Sequence, residues 1–254
     1  MRHHFEKYLT IPALICSCVL LTNSGLCKEA GAVNEPSTLS AAQAKGLYTV
    51  LILHRNDGQE VLEAGVKEAL AGRPDVVVQS TALSSPSLVA TMKQLKMDAE
   101  TLPTPLAMVI SSNNVVTGIF TRVPRREKLL EALLPEQPLA VRKTLSEGTP
   151  VLIKAQSKTT LGNAETDKAI SEYLGDKSIA NKVVVLSVDL DKSENAPFLK
   201  QLKIDPPNEK QSVLICLAPP LKIVNKAFRG AATKAIIVTA SSAACGTGCA
   251  TGKS

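Results

Sequence analysis

The residues near the end of the chain carry its most suggestive chemistry. Cys245-Gly246-Thr247-Gly248-Cys249 spaces two thiols by three residues, two of them glycine, so the segment can bend enough to bring both sulfurs together. Such a pair would cycle between dithiol and disulfide, or hold a soft ion such as Cu(I) or Zn. In an oxidising compartment the same spacing also gives a small disulfide loop or an inert tail. Gly252-Lys253-Ser254 mimics the end of a phosphate loop, but that motif needs glycine where Thr247 stands. His54 follows an apolar run and reads as a solvated strand-end residue, or alternatively as a proton donor or ligand. Asp189 and Asp191 fall on the same side of an extended strand and could meet a cation. With no third ligand nearby in the sequence, they read instead as strand-end and turn residues. Cys216, inside SVLICL, reads as a buried core thiol.

The N-terminal segment decides the compartment. Arg2, His3, His4 and Lys7 make a basic start, and Tyr8 to Leu21 is apolar apart from Thr10 and Ser17. This is the pattern of a secretory signal, and the run is short for a membrane span. Cleavage after Ala32 fits the small-x-small rule in Ala30-Gly31-Ala32, and Gly25-Leu26-Cys27 is the nearer alternative. A third reading is lipidation, with Cys18 of Ile15-Cys16-Ser17-Cys18 as the modified residue; that would attach the protein to a membrane through its N-terminus. The expected location is therefore the periplasm or cell envelope, or the medium. Residues 33–46 read as a polar linker.

Composition narrows the functions further. The chain has 254 residues, of which 44% are hydrophobic but only 3% aromatic, so the core is built from Val, Ile, Leu and Ala. The net charge of +6 is scattered apart from Arg122, Arg125, Arg126 and Lys128, which read as the solvated start of a helix. Nucleic-acid binding would want basic residues interleaved with aromatics, so it is not expected. A Ser-His-Asp triad could draw only on His54 once the leader is removed. A four-ligand zinc site would consume His54, Cys216, Cys245 and Cys249 together. No cofactor is expected.

The elements that must position these residues recur twice. Tyr48 to Leu53, Asp75 to Gln79, Leu106 to Ile110 and Val115 to Phe120 read as strands. Helices are expected at Gln59 to Leu70, after Ser84-Ser85-Pro86, and at Arg125 to Leu134. The order β-α-β-α-β-β-α implies an α/β fold, a mixed sheet with helices on both faces. The second half repeats it. Strands are expected at Pro150 to Ala155, Lys182 to Val188 and Ser212 to Leu217, with a hairpin return over Leu221 to Phe228. Helices are expected at Asn163 to Leu174 and Asn195 to Leu202. The hexapeptide Lys93-Gln94-Leu95-Lys96-Met97-Asp98 returns as Lys200-Gln201-Leu202-Lys203-Ile204-Asp205, 107 residues later, and the first strands echo at an offset of 101. Two echoes in the same order imply a duplication.

Each half resembles the core of a thioredoxin-like fold. Leu102-Pro103-Thr104-Pro105-Leu106 resembles the family segment in which a cis-proline precedes the hairpin, with Pro103 as the first candidate for that position and Pro105 as the competitor. Val188-Asp189-Leu190-Asp191 and Asn195-Ala196-Pro197-Phe198 resemble the strand end and short helix of the second copy. The resemblance implies two tandem thioredoxin-like domains, at 47–138 and 139–240, followed by a flexible Cys/Gly tail over 241–254. It also implies a C-x-x-C at the first helix tip, where exposed amides stabilise a thiolate. Neither Arg55-Asn56-Asp57-Gly58-Gln59 nor Gln156 to Gly162 contains cysteine, and the offset of 107 sets Glu209-Lys210-Gln211-Ser212 where the first copy has its proline segment. Without a thiol, the retained proline segment implies an edge able to pair with an extended peptide. The expected role is a non-catalytic binding or scaffold module with a protein or peptide partner. The alternative is a thiol-disulfide oxidoreductase or soft-metal carrier using Cys245 and Cys249.

Overall fold

A computed structural model describes residues 38–55, 58–95, 97–176, 183–219, 222–224 and 227–245. The proposed signal, its cleavage sites, Cys18 and Cys249 lie outside them. None of the described helices is long and apolar enough to cross a membrane.

The first domain begins with helix α1 (Thr38–Ala44), inside the stretch expected to be a linker, and Ala42 is buried against the fold. Strand β1 (Tyr48–His54), helix α2 (Glu60–Ala69), strand β2 (Val76–Ala82) and helix α3 (Pro86–Gln94) follow. A 3-10 turn at Ala99–Thr101 leads into strands β3 (Leu106–Ile110) and β4 (Val116–Phe120) and helix α4 (Arg126–Ala132). The sheet order is β2-β1-β3-β4, with β1 and β2 parallel and the remaining pairs antiparallel.

Strands β1 and β3 are central, so helices cover both their faces and their sequences, YTVLILH and LAMVI, are nearly continuous apolar runs. Val50, Ile52, Ala107 and Val109 pack against Leu62 and Val66 of α2 and Leu129 of α4. On the other face, Leu51, Leu53, Leu106 and Met108 meet Leu88 and Met92 of α3. Edge strand β2 is half-buried along its whole length.

The second domain repeats the plan. Helix α5 (Glu136–Ser146) precedes strand β5 (Val151–Gln156), helix α6 (Asn163–Gly175) and strand β6 (Val184–Asp189). Helix α7 (Ala196–Gln201), a 3-10 turn at Pro206–Asn208 and strand β7 (Val213–Ala218) come next. The return strand is split into β8 (Lys222–Ile223) and β9 (Phe228–Arg229), each paired to β7, and helix α8 (Lys234–Cys245) closes the unit. The order β6-β5-β7 carries the same parallel and antiparallel pairings as the first sheet. Val151, Ile153 and Ile215 pack with Val141 of α5 and with Phe198 and Leu199 of α7. Leu152, Leu214 and Cys216 pack with Tyr173 of α6 and Ile237 of α8.

The repeated unit is therefore αβαβαββα, one helix longer than the sequence pattern implied. Helix α5 is not expected from the sequence, because Pro135 reads as the stop of the preceding helix. In fact Pro135 is the N-cap and Pro138 lies in the first turn, where a missing N–H costs nothing. Helix α8 runs to Cys245, across the boundary expected at 240. Its Ile236-Ile237-Val238-Thr239 run has poor intrinsic helix propensity, and packing over the sheet overrides it.

Candidate functional site

In both domains the first β-strand after the opening helix ends beside the tip of the next helix, and the segment entering the antiparallel strand lies opposite. In the first domain, β1 ends at His54 and α2 starts at Glu60. The antiparallel register that pairs Leu53 with Leu106 carries Arg55 to the level of Thr104. Arg55 is fixed there, because its Nη2 donates to the carbonyls of Glu100 (2.8 Å) and Ala99 (3.2 Å) in the 3-10 turn. Arg55, Leu83, Ser84, Ala99 and Glu100 line a cavity of about 340 Å³ at this turn.

The tip of α2 is chemically quiet. The Gly58 amide donates to Oε2 of Glu60 (3.1 Å), so a carboxylate occupies the positive end of the helix. A thiolate would be repelled there. The Gln59 Oε1 is buried and has no hydrogen-bond partner among the described residues.

Thr104–Pro105 is a cis peptide bond, so the position for which Pro103 was the first candidate belongs to Pro105. Sequence could not separate the two, since each is an X-Pro in the same short segment. Pro103 is exposed, and Thr104 and Pro105 are half-buried. Among the described residues no main-chain hydrogen bond joins Gly58 or Gln59 to Leu102, Pro103, Thr104 or Pro105.

The second domain differs at the same place. Pro206–Asn208 and β7 follow the hexapeptide at the spacing seen in the first domain, so Ser212 stands where Pro105 does. The loop from Ser157 to Gly162 is held by its own polar groups. Thr160 Oγ1 accepts from the Ser157 amide (3.1 Å) and donates to Asn163 Oδ1 (2.7 Å), and Asn163 Nδ2 donates to the Ser157 carbonyl (2.8 Å). Gly162 then takes a left-handed φ of 80° and passes close to the Gly230–Ala231 backbone. Beneath it a buried chain of hydroxyls ties the helix to the sheet. Gln156 Nε2 donates to Ser212 Oγ (3.1 Å), and Ser212 Oγ donates to Thr166 Oγ1 (3.3 Å). Thr166 Oγ1 also accepts from the Ala232 amide (3.2 Å). This network was not legible beforehand, because Ser and Thr in loops carry no pattern that distinguishes buried from solvated.

The remaining sequence candidates scatter. His54 is half-buried at the end of β1, and its carbonyl accepts from the Leu83 amide (2.8 Å). Asp189 and Asp191 act as turn acceptors: Asp189 Oδ1 takes the Asp191 amide (2.9 Å), and Asp191 Oδ2 takes the Lys158 amide (3.2 Å). Among the described residues no group of three or more His, Cys, Asp or Glu could hold a metal ion. In the basic cluster, Arg126 Nη1 donates to the Ala69 carbonyl (2.7 Å) and Lys128 pairs with Glu131 (2.7 Å), as expected for a solvated helix start. Cys216 is buried in β7, and Cys245 is the last residue of α8.

Strand order, mixed pairing and the proline turn before β3 make this a protein of two tandem thioredoxin-like domains. No family model matches the chain, and no curated protein matches it. Solved structures are similar at low identity. The first two thioredoxin domains of Eps1p from Naumovozyma dairenensis share 9% identity with a TM-score of 0.28, over 80% of this chain and 93% of that one. The N-terminal domain of the alkylhydroperoxide reductase AhpF from Enterococcus faecalis shares 16% with a TM-score of 0.29, over 81% and 96%. Zinc-bound human ERp44 shares 8% with a TM-score of 0.30, over 81% and 58%.

Proposed function

We propose that this is an exported, non-catalytic thioredoxin-like protein of the cell envelope, a binding or scaffold module that takes an extended peptide segment along Leu102–Pro105 of its first domain. One observation carries the reading: an edge with no main-chain partner among the described residues of the facing loop lies beside a helix tip that holds Gly58, Gln59 and Glu60 rather than sulfur. An extended segment gains main-chain hydrogen bonds from such an edge whatever its sequence. Arg55, already anchored by two carbonyls, has further N–H groups for a carbonyl or carboxylate of that segment. Export rests on Arg2, Lys7 and the apolar run from Tyr8 to Leu21. The alternative is redox or metal chemistry at Cys245, the last residue of α8, and Cys249.

The test is a titration of ¹⁵N-labelled full chain with reduced, alkylated ribonuclease as an unfolded probe. The Thr104 and Arg55 amide resonances are expected to move saturably. Saturable binding that leaves both unmoved would overturn the assignment.

A further inference from the structure

The segments that enter β3 and β7 have diverged in a way that bears on which domain can bind. In the second domain Leu161 forms an isolated parallel bridge with Gln211. Its amide donates to the Lys210 carbonyl (2.9 Å), and its carbonyl accepts from the Ser212 amide (2.8 Å). Both groups lie on the segment that is the counterpart of Leu102–Pro105, and Gln211 is the counterpart of Thr104. The Leu161 side chain is 67% exposed, so packing does not hold it there; its backbone does. The loop is kept in place on both sides by the Ser157–Thr160–Asn163 network and by Gly162 against Gly230 and Ala231.

The second of these hydrogen bonds needs an N–H at position 212. The counterpart in the first domain is Pro105, which has none. We propose that the second domain has closed its own ligand edge, with the Leu161 backbone lying where a peptide would lie, and that replacement of proline by Ser212 is what allows the closure. The first domain, lacking that donor, stays open. This rests on the peptide-binding reading of the first domain and assigns the two repeats different duties: one receives a segment, the other is a sealed structural copy. A ligand entering the second edge has to displace two hydrogen bonds that the chain already makes, which weakens it there by roughly 10- to 100-fold.

The test uses the full chain with a photoreactive benzoylphenylalanine at Thr101 or at its counterpart Asn208, both exposed, and reduced, alkylated ribonuclease as probe. Crosslinking is expected at 101, with at least tenfold lower yield at 208. Leu161→Pro removes the donor to the Lys210 carbonyl, and Ser212→Pro removes the donor to Leu161; either is expected to raise the yield at 208 and leave 101 unchanged. Crosslinking at both positions with equal yield in the unsubstituted chain overturns the closure, as does a 208 that stays silent in folded variants of both kinds while 101 crosslinks. Amide exchange in the unsubstituted chain covers the case in which the variants do not fold. Leu161 and Ser212 are expected to exchange at least tenfold more slowly than Thr104, and equally fast exchange refutes the sealed edge. If neither position crosslinks while both amides are protected, the peptide-binding reading fails and the closure stands.

Discussion

Adding a methyl group at Gly162 probes the joint that seals the second domain. Gly162 has φ of 80°, and a Cβ built there would stand 2.6 Å from the Ala231 nitrogen and 2.8 Å from the Gly230 carbonyl carbon. Both neighbours are backbone and cannot rotate away. The left-handed conformation alone costs an alanine about 1–2 kcal/mol, and forcing the two backbones apart adds about 1–3 kcal/mol. Gly148 supplies the control, since its φ is 86° and nothing lies within 4 Å of its Cβ position. Gly148→Ala should therefore lose only the conformational part, about 1–2 kcal/mol, and Gly162→Ala about 2–5 kcal/mol. The chain has no tryptophan and three tyrosines, so with Tyr8 and Tyr48 both replaced by Phe, fluorescence of the buried Tyr173 during urea unfolding follows the second domain. The difference in midpoint, at unchanged slope, gives the close-approach cost. Equal losses for the two variants would show that Gly162 does not press on the Gly230–Ala231 backbone and that the loop is not held from that side.

Two further outcomes test the first domain. Burial pushes the Tyr48 phenol up to about 12, while its hydroxyl donates to the Leu134 carbonyl at 2.7 Å. A raised folded value means that the stability from the neutral phenol is complete below pH about 10 and is lost as pH climbs through about 12. The shift corresponds to at most about 3 kcal/mol, and to about 1 kcal/mol after solvent screening at this half-buried site. Tyr48→Phe should flatten the alkaline fall in urea midpoint between those pH values, and an unchanged alkaline slope would contradict the assignment. Ile52 is fully buried at the centre of the first sheet, so Ile52→Ala should cost about 2–5 kcal/mol in urea unfolding of a Tyr8→Phe, Tyr173→Phe form followed by Tyr48 fluorescence. A loss below about 1 kcal/mol would mean that the Val50–Ile52–Val109 cluster is not the core of that domain.

How much of this was legible in the sequence depends on what carries each feature. Strands β1, β3, β5 and β7 announce themselves because central strands, buried on both faces, are written in Val, Ile and Leu. The hexapeptide echo located the duplication correctly: its copies end α3 and α7, and the Asp98 and Asp205 that close them each precede a 3-10 turn. Helices α1, α5 and α8 were hidden, since a Ser/Ala-rich stretch, a proline-punctuated one and a β-branched one each point away from helix until a sheet surface is present to cover. The sealed edge was half visible. The exchange of proline for serine at position 212 could be read from the offset, but the Leu161 bridge it permits is made by backbone atoms, which every residue possesses.

The proposal that this chain uses a thioredoxin-like scaffold without thiol chemistry is put to its sharpest trial by insulin reduction with the full chain in the presence of a chemical reductant. The account predicts a rate no greater than that of the reductant alone. Faster turnover would contradict it. Abolition of that turnover by Cys245→Ser and Cys249→Ser would move the chemistry to those two thiols, whereas its survival would mean that one of the sulfur-free helix tips, at Gly58–Glu60 or Leu161–Asn163, catalyses without a thiol.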